Sequence, residues 1–353
     1  RLDAMLEGQV AVLSSGALSA AESLSVLRAL RQSDMYRSDQ HSYLLYPNKV
    51  LPAFMEKNTI PSDLVDRSQL LSRLVADGNT ELVEMDVDGS LHFHGLFNNI
   101  RDVRAALGRL RDGGYERLVE EESELIGEIF ESVFEHQKFT GRSGTFYGYE
   151  GLGCIYWHMV SKLLLATQES ALTAAGRGDE GFGDLVESYH DVRAGIGFNK
   201  TPEVYGAFPT DPYSHTPGHA GAKQPGMTGQ VKEEIITRFG ELGLSITDGR
   251  IGFDPVLLRR CEFLIEPGAF EYYDVNGQLR SLDLDEQTLA FTYCQVPIVY
   301  KLSEDPRLTL HFADGTTRTL DSLVLDKTSS AEIFKRTGKI ARIEVSLAPG
   351  LES

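Results

Sequence analysis

Residues Gly206–Pro255 read GAFPTDPYSHTPGHAGAKQPGMTGQVKEEIITRFGELGLSITDGRIGFDP. A Pro-, Gly- and His-rich loop gives way at Met227-Thr228-Gly229-Gln230 to a helical pattern over Val231–Leu242. Gly243 is a natural residue for the position just past a helix end, where a left-handed backbone is needed. A short turn follows, then Ile251-Gly252-Phe253-Asp254-Pro255. This stretch divides the chain: helical patterns precede it, and short alternating runs follow it.

Upstream, Leu2, Met5, Leu6, Val10 and Leu13 form one helical stripe, broken at Ser14-Ser15-Gly16. Ser19 and Glu22 have capping-box spacing, and Leu24, Leu27 and Leu30 carry the next apolar face. Helices are also expected over 61–76, 100–110, 118–134, 154–167 and 185–194. Between them lie the polar-aromatic loop Tyr36–Pro52, the Gly- and aromatic-rich loop Phe139–Gly153, a turn over 174–184 and the long loop Gly195–Gln224. Residues 81–94 have strand character with a turn at Asp88-Gly89. They suggest a hairpin inserted near a site. Downstream, runs at 263–265, 270–275, 279–284, 289–293, 298–302, 308–312, 317–320 and 340–347 are separated by turns such as Asn276-Gly277 and Asp314-Gly315. The expectation is an α+β multidomain chain, with residues 1–250 helical and 251–353 an antiparallel β-sandwich.

The formal net charge of −18 argues against a broad nucleic-acid or anionic-membrane footprint. No apolar run is long enough to span a bilayer. Three cysteines, Cys154, Cys261 and Cys294, without CxxC spacing fit reduced thiols in a cytoplasmic setting. P-loop, GxSxG and HExxH motifs are absent from the sequence.

Thr228-Gly229-Gln230 opens a helical pattern. The free N–H groups and partial positive charge of a helix start attract phosphate. Gly229 permits close backbone approach, the Thr228 hydroxyl adds a donor, and Lys223 upstream supplies a point charge. A plain N-cap with nothing bound is the simpler reading of the local pattern alone. His215 and His219 are four apart, but Pro217 and Gly218 oppose a helix there and no third ligand is evident, so no metal is expected. His92 and His94 share a strand face and read as surface or cleft residues. The acidic run Glu120-Glu121-Glu122 reads as a solvated face. Clustered Tyr, Asp, Gln and His in Tyr36–His41 and Tyr205–Tyr213 suit a carbohydrate cleft, and equally suit loops whose polar groups satisfy backbone.

The Thr-Gly, the following helix, Leu242-Gly243-Leu244 and Gly252-Phe253-Asp254-Pro255 resemble, in order and spacing, a segment of the inverting glycoside phosphorylases of the cellobiose phosphorylase and oligoglucan phosphorylase type. Leu6–Arg28 resembles that family's "LDxQxWAVLSG" helix, so the similarity extends over about Leu2–Pro255. The resemblance implies part of an (α/α)6 toroid followed by the β-sandwich. It also implies a glycosyltransferase-type enzyme that splits β-glucosidic oligosaccharides with inorganic phosphate as co-substrate and no cofactor. Phosphate would be held by Thr228 and Gly229. Arg142-Ser-Gly-Thr-Phe-Tyr-Gly-Tyr-Glu150 resembles the family's "GG(I/V)F-x-H" loop, but Gly148-Tyr149-Glu150 occupies the region of its His. Arg142, His158 or Lys223 would supply the basic contact. Tyr149, Glu150, Tyr205, Asp211, Tyr213 and Gln230 would face sugar.

In that family an Asp general acid precedes the "WAVLSG" helix, and by that order it would precede Arg1. The chain also opens in mid-pattern without a Met, which fits a piece of a longer protein or, alternatively, a processed N-terminus. The expectation is therefore a C-terminal portion that needs its missing N-terminal half or a second copy to cover apolar helix faces. Glu150 and Asp211 are the fallback catalytic carboxylates. Two rivals remain open at this point: an inverting hydrolase on the same toroid, with Glu150 or Asp211 as base, and a non-catalytic carbohydrate-binding or scaffold protein.

Overall fold

The computed structural model describes residues 4–48, 50, 52–136, 152–209, 213–226 and 235–348. It is a mixture of helix and sheet, with a multi-stranded C-terminal sheet region. Two compact units emerge: one from Arg1–Gly8, Gln32–Tyr156 and His215–Gln224, the other from Gln9–Arg31, Trp157–Ser214 and Pro225–Ser353.

Within the first unit, residues between Ile60 and Val133 enclose a hydrophobic core of their own, including Leu70, Leu74, Phe93, Val103, Ile126 and Phe130. The expected hairpin is present and gains a third strand. Leu91–Phe93 pairs with Val83–Met85 on one side and Thr59–Ile60 on the other, all antiparallel. Asn58 acts as a backbone surrogate, donating to Phe93 O at 2.7 Å and accepting from Phe93 N at 3.0 Å. His92 is a correction to the surface reading. It is buried, with Nδ1 2.8 Å from Asn58 O and Nε2 3.0 Å from Asp86 Oδ2, and so clips the sheet to its turn.

The expected helix over 61–76 divides into Ser62–Val65 and Gln69–Asp77, with Ser68 capping the second. Glu122 is not merely a solvated charge. Its carboxylate accepts from the Ser68 hydroxyl at 2.6 Å and from the Gln69 and Leu70 amides at 3.0 Å, where the helix leaves donors unpaired. Helices Ile100–Leu110 and Glu116–Phe134 follow, separated by a distorted turn in which Gly114 takes φ 100°.

In the second unit, helix Ala20–Gln32 begins at the expected capping box: the Glu22 carboxylate accepts from the Ser19 amide at 2.8 Å, and Ser19 Oγ accepts from the Glu22 amide. Trp157–Arg177 and Phe182–Ala194 form a helical hairpin, the first helix running on into the expected turn. The C-terminal sheet has the strand order 288–293, 296–302, 340–347, 307–312, 317–320.

The wholly antiparallel sandwich needs correction here. Val296–Leu302 and Ile340–Leu347 pair in parallel. A parallel pair requires a crossover, and the intervening chain supplies it as a hairpin plus helix Lys327–Phe334, capped by Asp326. That helix, not a second large sheet, covers the inner face together with hairpin Leu244–Thr247/Arg250–Phe253. Ile251, Phe253 and Ile333 join Tyr300, Leu310 and Val345 in the core. The run at 263–265 is not a strand: Phe263 is buried and Ile265 exposed. The remaining two-stranded piece, Gly268–Tyr273 with Leu279–Leu284, is mostly exposed.

Candidate functional site

Thr228, Gly229, Gln230, Arg142, Tyr149, Glu150 and Asp211 lie outside the described residues. Of the others, His158 is the second residue of helix Trp157–Arg177 and is half-buried. Lys223 has an exposed side chain, and its amide donates to His215 O at 3.0 Å. Tyr205 is fully buried at the end of Pro202–Tyr205. Its ring meets Trp157 at 5.4 Å and Tyr213 at 6.3 Å between centroids, and lies over Gly197. Tyr205 and Tyr213 are thus brought together, with Tyr213 half-buried.

The first unit brings three sequence segments into one polar-aromatic cluster. Tyr36-Arg37 pairs with Ser42-Tyr43 across the one-turn helix Ser38–Gln40. His41 closes that turn with φ 43°, in the left-handed region that His tolerates better than most residues. Its Nδ1 lies 3.1 Å from the Tyr36 hydroxyl, and Tyr43 meets the Tyr36 ring edge-on at 5.4 Å.

Arg37 ties this hairpin to the second segment. Its Nε and Nη2 donate to the Asp39 carboxylate at 2.9 and 3.0 Å, while Nη1 donates to Thr216 O at 3.2 Å and Pro217 O at 3.3 Å. The guanidinium is therefore occupied on both sides and acts as a latch. Its hydrogen bonds hold the Asp39 carboxyl below the usual carboxylate range. In the third segment, Ile155 pairs with Thr216 and Tyr156 with His215. The Tyr156 and His215 rings stack at 4.7 Å and 13°. The neighbouring Cys154 thiol is buried, which pushes its pKa up and makes it a poor nucleophile.

His215 and His219 were considered together in the sequence as a pair. Here His215 is engaged with Tyr156, and His219 takes φ 55° beyond the Pro217-Gly218 turn. Among the described residues, no group of three or more His, Cys, Asp or Glu is arranged to hold a metal ion. Sequence reasoning marked Tyr36–His41 as a polar-aromatic loop but missed the Arg37 latch and the Tyr156–His215 stack. The signal was the matched aromatic and histidine content of the two segments. A separate cavity of about 530 Å³ opens in the first unit beside Glu81, His94, Phe97 and Asp102; His94, read from the sequence as a surface or cleft residue, is among its lining, and the proposed phosphate and sugar residues that are described are not.

In the second unit, a buried polar network gathers at Glu241. It was not legible as a motif. Glu241 is 2% exposed, accepts from the Tyr189 hydroxyl and from Arg238 Nη1, each at 2.6 Å, and forms an ion pair with Arg193 Nε at 2.5 Å. Burial pushes the Tyr189 hydroxyl well above its ordinary range, so it remains a donor.

Residues 51–137 match the family model described as GH149 phosphorylase insertion domain 2. The match coincides with the stretch that encloses its own core between Ile60 and Val133. It relates the chain to glycoside phosphorylases. No curated protein matches the chain.

Proposed function

We propose that this chain is the C-terminal part of an inverting glycoside phosphorylase that cleaves β-glucosidic oligosaccharides with inorganic phosphate. The observation that carries the reading is the match of residues 51–137 to a phosphorylase insertion domain. That stretch lies between the two sequence segments, Leu6–Arg28 and Thr228–Pro255, that resemble the inverting phosphorylases. The helices outside the insertion would contribute to an (α/α)6 toroid.

In this reading phosphate sits on the amides and hydroxyl of Thr228-Gly229, with basic help from Arg142, His158 or Lys223. Phosphate oxygen attacks the anomeric carbon from the face opposite the leaving sugar. The C1–O bond to the acceptor breaks as a carboxylic acid donates its proton to the departing oxygen, giving α-glucose 1-phosphate with inversion. The resemblance puts that acid on an Asp that would precede Arg1, with Glu150 and Asp211 as fallbacks. Tyr149, Glu150, Asp211, Tyr213 and Gln230 are the proposed sugar-facing set; Tyr205, expected among them, is instead buried against Trp157 and Tyr213 and supports the wall from behind. The stacked Tyr156–His215 pair, beside Arg37 and Asp39, offers the mixed aromatic and polar surface that pyranose rings need.

The test is phosphate release from α-glucose 1-phosphate by the natural full-length protein with a panel of sugar acceptors. Acceptor-dependent release that Thr228→Val abolishes while the fold stays intact is the expected result. Phosphate-independent cleavage of an oligosaccharide would instead assign a hydrolase. Sugar binding without turnover in either assay would assign a binding protein.

A further inference from the structure

Another cavity lies among the helices of the second unit. It has a volume of about 170 Å³. Its walls are the end of helix Leu6–Ser14, the start of helix Ala20–Gln32 and the last turns of helix Trp157–Arg177. These walls are fixed by local hydrogen bonds. The Ser19–Glu22 capping box sets the start of Ala20–Gln32, and the Ser23 amide donates to Ser19 O at 2.9 Å. On the opposite wall Gly178 takes φ 69°, and the Asp179 amide donates to Ala174 O at 3.0 Å, which closes the helix end. A Cβ on Gly181 would fall 3.2 Å from both Ala20 Cβ and Leu24 Cδ1, so the turn after that helix packs directly on Ala20–Gln32.

Buried Leu13 and Ala174 give the cavity an apolar part. Its polar part is mixed in kind. Ser23 is 3% exposed, and its hydroxyl has no hydrogen-bond partner among the described residues. An unpaired buried hydroxyl is unfavourable, and the cavity is the place where its bond can be made. Glu169 and Asp179, which only accept when ionised, share the lining with Arg177, which only donates. None of these three side chains has an ion-pair partner among the described residues.

A simple anion meets two carboxylates here, and a simple cation meets the guanidinium. A polyol suits all of these groups, because each of its hydroxyls both donates and accepts. The volume limits the size: pockets for drug-sized ligands run to roughly 300–1,000 Å³, so this one suits a single small ring. The lining contains no aromatic side chain, which argues against a flat, stacking ligand. Thr173, also in the lining, lies fifteen residues along its helix from His158, about 22 Å at the α-helical rise. The cavity is thus at the far end of that helix from the proposed basic contact to phosphate.

We propose that this cavity binds one neutral monosaccharide, with Ser23, Glu169, Arg177 and Asp179 as its polar contacts. The inference goes beyond the phosphorylase reading and does not rest on it.

The experiment is amide hydrogen exchange of the natural full-length protein, read by mass spectrometry, with and without saturating D-glucose. Peptides covering residues 13–23 and 169–179 are expected to exchange at least twofold more slowly with glucose. Ser23→Leu fills the cavity and should abolish that protection. Arg177→Leu alters an exposed residue and should weaken the glucose dependence at these peptides about tenfold, and it decides the matter if Ser23→Leu does not fold. Wild-type peptides that ignore glucose overturn the site, as does protection that persists unchanged in both variants. Protection by glycine or by inorganic phosphate but not by glucose overturns the ligand class. Protection at these peptides in a protein without phosphorolysis leaves the site standing and removes the phosphorylase reading; phosphorolysis without that protection does the reverse.

Discussion

The amide of Asp254 donates to the carbonyl of Gly243 across 2.8 Å, joining the end of a helical segment to the end of the hairpin that follows it. Gly243 takes φ 67° to make this contact. The left-handed backbone alone costs a non-glycine residue roughly 1–2 kcal/mol. A Cβ at this position also meets backbone, not a flexible side chain, so the neighbour cannot step aside. Gly243→Ala is expected to lower stability by about 3 kcal/mol or more, on the scale of overpacking plus strain. Thermal unfolding checks this. A melting midpoint within a degree of wild type would contradict it. Gly249→Ala is the contrast: it has φ 73° but open space around its Cβ, so it should show the conformational cost alone.

The Glu122–Ser68 arrangement makes a second expectation. Glu122 satisfies donors at the start of Gln69–Asp77 from a different helix, while Ser68 Oγ accepts from Leu71 N at 3.1 Å. Capping side chains contribute about 1 kcal/mol each. Ser68→Ala and Glu122→Ala should each cost roughly 1–2 kcal/mol. The double variant should cost less than their sum, because the two side chains share a hydrogen bond. Strict additivity in denaturant unfolding would show that the pair is not coupled.

These two cases also mark what the sequence could and could not tell. Gly243 was legible because a helix end demanding positive φ has a local signature, and the capping box at Ser19-Glu22 was legible for the same reason. Most strands after residue 265 were legible from alternation and from Asn276-Gly277 and Asp314-Gly315 turns. Glu122 was not, since an acid in a charged run looks the same whether it faces water or caps a helix more than fifty positions away in the chain. The parallel pairing of Val296–Leu302 with Ile340–Leu347 was hidden too: alternation gives a strand but not its neighbour. At the candidate site, the content of Tyr36–His41 was visible. Its docking on Thr216 and Pro217 is a tertiary contact between backbone carbonyls and one guanidinium, which no local pattern encodes.

His190 gives a pH dependence with a defined sign. It is 8% exposed; burial first, and then the positive charge of Arg259, lower its pKa from 6.5 to about 4. The unfolded chain therefore takes up a proton near pH 6.5 that the folded chain refuses until about pH 4. Stability from this group is fully present above pH 6.5 and is lost progressively as pH falls toward 4. The full effect is roughly 3 kcal/mol by the conversion of pKa shift to free energy. Urea unfolding at pH 7 and pH 4.5 checks it. His190→Asn, which retains a side-chain donor but does not titrate, should flatten the wild-type decline. An equal decline in that variant would assign the pH dependence to the carboxylates.

Arg37→Lys tests the latch. Lysine brings the same charge on a flexible stem but lacks the planar fork that reaches Asp39 on one edge and two carbonyls on another. An ammonium can keep one of these sides. If it keeps Asp39, the Thr216 and Pro217 carbonyls lose a donor; if it keeps the carbonyls, the Asp39 carboxyl climbs back toward its ordinary range. The expected stability loss is about 1–2 kcal/mol, the scale of charged hydrogen bonds at a largely buried donor. The wild-type contribution of the Asp39 contact is present above about pH 4 and falls away below it, because a depressed carboxylate pKa favours the fold only while the group is ionised. In the phosphorylase reading, kcat/KM for oligosaccharide should fall about tenfold, as expected when a cleft wall is displaced, with the KM for phosphate unchanged. Wild-type stability together with wild-type kinetics in Arg37→Lys would show that the hairpin at Tyr36–Tyr43 holds its place without the guanidinium, and would remove it from the proposed sugar wall.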